Sequence, residues 1–188
     1  MAPAADGVGV GSVPPLLARD LDGKRFDLEE ALEDGPVVIT FWATWCKPCR
    51  KEMPELQKLL VMFRNEDEKD AFRVIAVNGD GPADQAKVRP YVKSQKFDFT
   101  VIPDQDGEVR RNFQVEVFPT TFLVDRDGNV LHRTVGYRRG DEKILAERLE
   151  ALLGESSSEK PDTEPGADTE DKTDDEAGAD TDTDPGDK

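Results

Sequence analysis

The stretch Val37-Val38-Ile39-Thr40-Phe41-Trp42-Ala43-Thr44-Trp45-Cys46-Lys47-Pro48-Cys49 decides the fold. Its first six residues are apolar or β-branched with almost no break, the pattern of a strand buried on both faces. From Pro48 to about Arg64, Met53, Leu56, Leu59, Leu60 and Phe63 recur on one helical stripe. Pro54 interrupts the hydrogen-bond ladder of that helix and is expected to kink it. Two cysteines three apart therefore stand where a buried strand hands over to a helix. Unpaired amides and a partial positive charge at a helix start stabilise a thiolate. Cys46 is expected just ahead of the helix with its sulfur exposed, and Cys49 one turn in, facing the interior. The offset puts both sulfurs within disulfide range. Pro48 suits a first turn, where its missing N–H costs nothing, and Lys47 adds a cation beside the thiolate.

Three plainer uses of the pair compete with redox chemistry: a static bridge, half of a zinc site, or two inert buried thiols. A bridge across two intervening residues closes too short a loop to add much stability. Two cysteines with the single His132 fall short of a Cys/His zinc site. The strand–CxxC–helix setting favours redox use.

Outward from this block, strand and helix signals alternate. Leu16–Arg19 and Arg25–Leu28 around Leu21-Asp22-Gly23-Lys24 read as an amino-terminal hairpin. Phe72–Val77 and Phe99–Ile102 read as strands, Gln85–Ser94 as a weaker helix holding Pro90, and Glu108–Phe113 as a helical turn. Thr121–Asp125 and Val130–Val135 form a hairpin around Arg126-Asp127-Gly128-Asn129. Asp141 is placed to cap a last helix carrying Ile144, Leu145, Leu149 and Leu152, with Gly154 as its stop. The expected class is α/β, a central mixed β-sheet flanked by helices.

The charge is uneven. The 188 residues hold 41 acidic and 25 basic side chains, a net of −16. Residues 154–188 carry 14 acidic and 3 basic residues and no Val, Ile, Leu, Phe, Met, Trp or Tyr, so that −11 of the net charge lies there and −5 in residues 1–153. Such a segment has nothing to bury and is read as a disordered acidic tail. Residues 1–13, rich in Ala, Gly and Pro, are read as a flexible leader, which leaves 14–153 for the folded domain. The leader has neither the basic start nor the apolar run of a secretion signal. The acidic balance argues against nucleic acid as a partner, and no apolar run approaches the roughly 20 residues of a membrane helix, so no membrane insertion is expected. Asp104-Gln105-Asp106-Gly107 and Asp125-Arg126-Asp127-Gly128 superficially resemble calcium-loop openings but lack the closing ligands, and read as turns. No metal and no cofactor is expected, and His132 is taken for an exposed strand residue without a catalytic role.

The segment Phe41-Trp42-Ala43-Thr44-Trp45-Cys46-Lys47-Pro48-Cys49-Arg50-Lys51-Glu52-Met53-Pro54, with Val117-Phe118-Pro119-Thr120-Thr121-Phe122-Leu123-Val124-Asp125 further on, resembles the thioredoxin superfamily. More narrowly it resembles the TlpA-like and ResA-like thiol-disulfide oxidoreductases, a group that includes cytochrome c maturation proteins. The likeness runs from about Pro15 to Leu153 and includes a helix–strand insert between Asn78 and Ile102. It implies a thioredoxin-like fold in which Pro119 is a cis-proline facing the CxxC. Phe118 and Trp45 would form an apolar rim where an extended substrate chain docks. Thioredoxin's buried aspartate on the strand before the motif is Thr40 here. In ResA-like proteins a glutamate three residues after the second cysteine is implicated instead, and Glu52 holds that position as candidate proton acceptor.

The resulting expectation is an enzyme whose catalytic set is Cys46, Cys49 and Glu52, with Trp45, Lys47, Pro48, Phe118 and Pro119 contacting substrate. Its partners are a disulfide-containing protein and a second protein that recycles the redox pair; the chain is expected to be a monomer. A periplasmic or otherwise extracytoplasmic location follows from the resemblance. A peroxiredoxin-like thiol peroxidase and a non-catalytic thioredoxin-fold binding module are the alternatives.

Overall fold

The computed structural model describes residues 11–64 and 70–155. Most of the leader and nearly all of the acidic tail lie outside them. A five-stranded sheet runs through the centre in the order β5-β4-β3-β6-β7, where β3 is Val37–Trp42, β4 Arg73–Asn78, β5 Thr100–Pro103, β6 Thr120–Val124 and β7 Val130–Val135. β3 pairs parallel with β4 and antiparallel with β6, so the sheet is mixed. A separate antiparallel pair, β1 (Leu17–Arg19) and β2 (Arg25–Asp27), is the expected amino-terminal hairpin. The helix–strand insert is α3 (Gln85–Gln95) followed by β5, which extends the parallel edge.

All six residues of β3 are buried, and their alternation sorts them between two cores. Val38 and Trp42 face a cluster built with α2 (Cys49–Met62), Val88 of α3, and Leu145 and Leu149 of α5 (Asp141–Glu155). Val37, Ile39 and Phe41 face the opposite cluster, with Leu28, Ala31 and Leu32 of α1 (Leu28–Glu33), Phe113 and Phe122. Each such fully buried side chain contributes roughly 1.5–3 kcal/mol through removal from water. Thr40 lies on the even-numbered face. It therefore points towards α2, and so does Thr121, its partner in the β3–β6 register.

Three local expectations need correction. α1 went unforeseen: its six residues span too short a window for periodicity to show, yet Asp27 caps it by accepting the Glu29 amide at 3.1 Å. Asp141 is the first residue of α5 and not its cap, and its carboxylate instead accepts the Arg138 amide at 2.7 Å. Gly154 does not stop that helix, which continues to Glu155. The helical turn after β5 is α4 (Glu108–Asn112). Asp104, buried, accepts the Val109 and Arg110 amides, each at 2.9 Å, so that run serves a turn and a helix start. α2 and α3 continue through Pro54 and Pro90. Residues 11–13 lie beside 128–130, with Val13 N–H donating to the Gly128 carbonyl at 2.8 Å.

Candidate active site

The chain leaves the carboxyl end of β3 through Ala43 and Thr44 and enters α2 at Cys49. This short connection is braced by a buried carboxylate. Asp80 accepts the Thr44 amide at 2.8 Å, the Thr44 hydroxyl at 2.7 Å and the Asn78 side-chain amide at 2.6 Å. Three donors satisfy an otherwise costly buried acid and fix the loop ahead of the cysteines. In sequence Asn78-Gly79-Asp80-Gly81-Pro82 has the composition of a plain loop, and nothing local tells a bracing aspartate from a turn aspartate.

Cys46 and Cys49 are joined by a disulfide, with Cα atoms 5.3 Å apart. Cys49 opens α2, and its amide donates to the Cys46 sulfur at 3.2 Å. Pro48 makes no side-chain cap, so the sulfur takes the acceptor role that a capping side chain usually has. The expected exposure of Cys46 is corrected: only 5% of the residue is accessible, and Cys49 is fully buried. In the bridged state the Cys46 sulfur is engaged by Cys49 and its amide, and the residue packs in the core cluster with Trp42 and Ala43. Lys47 and Pro48 are exposed beside it.

The Phe118–Pro119 peptide bond is cis, and Pro119 is buried at the foot of β6. Trp45 is 61% exposed and its ring lies 5.9 Å from that of Phe118. The two aromatics form an accessible apolar rim next to the bridge, and the Arg110 guanidinium lies over the Phe118 ring at 5.9 Å. Gly79 supports this rim from below: a Cβ there would overlap the Phe118 ring. Gly79→Ala is therefore expected to swing Phe118 aside and to cost about 1–3 kcal/mol of stability. KM for a protein substrate should rise while the redox potential of the cysteine pair stays unchanged, as steady-state kinetics and a redox titration would show.

Glu52, one turn after Cys49, is 5% exposed and reaches the cross-strand threonine pair. Thr121 Oγ donates to one carboxylate oxygen at 2.7 Å, Thr40 Oγ to the other at 3.1 Å, and the two hydroxyls are 3.0 Å apart. The carboxyl thus arrives from the helix at the very strand position where the thioredoxin comparison placed an aspartate. Burial pushes its pKa up to about 7, against the two threonine hydrogen bonds, which favour the anion. Near neutral pH the group is held close to half-protonated, and hydroxyls suit either state because they both donate and accept.

His132 is half-buried rather than exposed, since β7 packs near α5; its Nε2 lies 3.0 Å from Thr134 Oγ. Burial, then the neighbouring Arg148, lowers its pKa against the opposing pull of Asp141, which favours the neutral ring. Thr121, Asp80 and Gly79 were all missed as site residues. For Thr121 the sequence offers only a threonine ahead of the apolar run Phe122-Leu123-Val124, and its place beside Thr40 comes from the β3–β6 register.

Comparison with known proteins agrees with this geometry. Residues 11–133 match the AhpC/TSA family model. The thiol-disulfide oxidoreductase ResA of Bacillus thuringiensis subsp. konkukian is 34% identical over 123 residues, 65% of this chain and 67% of that protein. The thioredoxin-like protein YneN of Bacillus subtilis is 32% identical over 124 residues, 65% of this chain and 69% of that one. Among solved structures, a protein assigned as thiol:disulfide interchange protein DsbE from Chlorobium tepidum superposes with a TM-score of 0.68 at 30% identity, covering 77% of this chain and 97% of that one. StoA of Bacillus subtilis, at 22% identity and a TM-score of 0.57 over 71% of this chain and 95% of its own, shares the fold. The chain belongs to the AhpC/TSA family of thioredoxin-like proteins and is a thiol-disulfide oxidoreductase similar to ResA.

Proposed function

We propose that the Cys46–Cys49 pair reduces disulfides of other proteins outside the cytoplasm. What carries the reading is a bridge at the start of α2, one turn from a buried glutamate and beside a cis-proline with an exposed aromatic rim. In the reduced protein the Cys46 thiolate attacks one sulfur of the substrate disulfide, forming a mixed disulfide and releasing the other substrate sulfur as thiolate. Cys49 then gives its proton to the Glu52 carboxylate and attacks Cys46. The substrate's second sulfur leaves with the bonding electron pair, and the protein is left two electrons oxidised. A recycling partner returns two electrons, and Cys49 takes back one proton, which restores the Cys46 thiolate and the Cys49 thiol. The substrate chain lies extended against the backbone of Phe118, with Trp45 and Phe118 gripping its apolar side chains and Lys47 and Pro48 at its edge.

The extracytoplasmic assignment rests on the resemblance to the exported or membrane-tethered ResA-like group, and it suits an enzyme whose substrates are protein disulfides, which persist outside the cytoplasm. Among the described residues no helix is long and apolar enough to cross a membrane. A role in cytochrome c maturation is the most specific form of this reading, and the domain limits 14–153, with an acidic tail from 154, belong to it. The direct test is reduction of insulin's disulfides with a thiol reductant supplying electrons, run beside a peroxide-consumption assay. Insulin reduction without peroxide consumption supports the proposal; the converse makes the protein a thiol peroxidase.

The cation beside Cys46 sets a smaller effect. Lys47→Glu weakens the Cys46 thiolate and with it the reduced form, so the potential of the pair is expected to fall by about 10–40 mV. Equilibration with glutathione buffers measures the shift, and an unchanged or higher potential refutes the electrostatic role.

A further inference from the structure

The loop between β7 and α5, residues 136–140, is short and carries two arginines. Gly136 and Gly140 both hold a positive φ, 78° and 111°, so the chain turns sharply at each end and leaves Arg138 and Arg139 exposed between them. Hydrogen bonds fix it in place. The Gly136 amide donates to the Pro119 carbonyl at 2.7 Å, the Tyr137 hydroxyl to Glu142 at 2.9 Å and the Arg138 amide to Asp141 at 2.7 Å. The first of these ties the loop to the cis-proline segment. Across from it, Arg50 and Lys51 follow Cys49 directly in the first turn of α2, where the Arg50 amide donates to the Cys46 carbonyl at 3.2 Å. Loop and helix together line an open groove of about 480 Å³, with Arg50, Lys51, Glu55, Tyr137 and Arg139 in its wall. Its one acid, Glu55, is engaged by Lys58 at 2.8 Å. Arg50 leans over the Tyr91 ring at 6.0 Å. Among the described residues neither it nor Lys51 nor Arg139 makes an ion pair, whereas Arg25, Arg64, Arg73 and Arg89, elsewhere on the surface, each do.

We propose that this groove is the docking site for an acidic segment flanking the disulfide of the substrate protein. The proposal deepens the reading of the pair as a protein-disulfide reductase and rests on it. Position and charge carry it. The groove begins at the residue after Cys49 and is tied through its loop to Pro119. A substrate held against Phe118 with its disulfide at Cys46 therefore brings its neighbouring residues within reach of the groove. Three cationic groups without a carboxylate of their own are fitted to accept one from a partner, and a guanidinium receives it on two parallel N–H bonds. Lys47, exposed next to Cys46, adds a fourth cation. The acids that open α5 are already engaged, Asp141 by the Arg138 amide and Glu142 by Tyr137 and the Gly140 amide. The groove runs against the charge of the whole chain, which is −16. A partner drawn by net charge alone would be basic. The groove instead selects at contact, because at physiological salt exposed charges are screened beyond about 8 Å.

The test uses peptides that are each closed by one disulfide and are alike except that the flanking positions are Glu, Ser or Lys. Pre-reduced full-length protein is mixed with each peptide. The rate constant of reduction is divided by that with dithiothreitol, which removes differences in the reactivity of the peptides themselves. At low salt the acidic peptide is expected to exceed the neutral one about tenfold, since each of three exposed pairs contributes about twofold, and the basic peptide is expected to be slowest. In about 1 M NaCl, where the screening length falls to about 3 Å, the three should converge. Lys51→Glu combined with Arg139→Glu is expected to remove the acidic preference or to reverse it. All three peptides meet the same Cys46, so the ratio between them is not moved by a change in its reactivity or by a merely structural role. Equal constants for the three peptides, or the basic one fastest, overturn the groove and leave the reductase standing; no reduction of any peptide overturns both. A preference that survives in the double variant refutes the groove as the contact. A double variant faster towards all three peptides refutes the proposal too, and assigns the groove to an anionic segment of the chain itself. If the double variant does not fold, Lys51→Gln and Arg139→Gln replace it: each is expected to lower the acidic-to-neutral ratio about twofold, and an unchanged ratio in both refutes the proposal.

Discussion

Cys49→Ser is expected to abolish turnover and to leave Cys46 covalently joined to its substrate protein. The reason is positional. Cys46 precedes α2 and receives the Cys49 amide, so that its sulfur is the one held ready as an anion. Cys49 is fully buried in the cluster with Met53 and Leu56, where an incoming protein cannot reach it. Its only accessible electrophile is the Cys46 sulfur of the mixed disulfide. With serine there, the first exchange proceeds and the second does not, and a complex sensitive to reducing agent accumulates on a non-reducing gel. Cys46→Ser is expected to form no such complex and to lose activity to the background rate. Trapping by Cys46→Ser in place of Cys49→Ser would reverse the assigned roles. Full activity of Cys46→Ser in the cell would make the chain a binding module. Serine is close in size to cysteine, so both variants are expected to fold, which a melting curve checks.

Glu52→Gln is expected to slow resolution of the mixed disulfide at pH 8, where the carboxylate acts as acceptor and an amide does not. The loss is about 10²-fold or more if proton removal from Cys49 is general-base assisted. The rate of the unaltered protein should rise through an inflection near pH 7, the value to which burial pushes this group, and the inflection should be missing in the variant. The same ionisation leaves a mark on stability. Below the unfolded value of about 4.5 the acid is protonated in both states and carries no penalty. Between there and about pH 7 the unfolded chain releases this proton while the folded one keeps it, so folding stability falls as pH rises. The loss is complete above the folded value and is on the order of 3 kcal/mol. Glutamine has no charge to bury. The variant should therefore gain about that much over the unaltered protein between pH 4 and pH 8 in urea unfolding of the oxidised forms. A stability difference that does not change with pH would show that Glu52 is solvated in the native state.

How far the residues alone disclose such a site depends on whether its parts are near in sequence. The strand, the cysteine pair and α2 are contiguous, so the apolar run of 37–42 and the stripe Met53, Leu56, Leu60 place the sulfurs without any tertiary knowledge. Pro119 was legible through its neighbours and the family pattern they carry. The surroundings of Glu52 were not. Thr121 meets it across 69 positions, through a β3–β6 register that depends on the whole sheet. Tyr137 and His132 approach only because β7 and α5 fold over the same face. Asp80 looks like a turn residue until Thr44, 36 positions away, donates to it twice. The burial of Cys46 is hidden for another reason: it belongs to the bridged state, and the residue pattern alone does not tell which redox state the chain adopts. α1 was missed for brevity alone.

The central claim is that Cys46 and Cys49 form a working couple and not a fixed staple, and equilibrium redox titration tests it most directly. The full chain is equilibrated in thiol–disulfide buffers of graded potential, and the fraction of bridged protein is read by alkylation and mass. The account predicts one reversible two-electron transition, nearer to thioredoxin's value of about −270 mV than to the −120 mV of a strong oxidant. A bridge still closed well below about −300 mV, in the range of structural disulfides, or one that does not re-form after reduction, would contradict it.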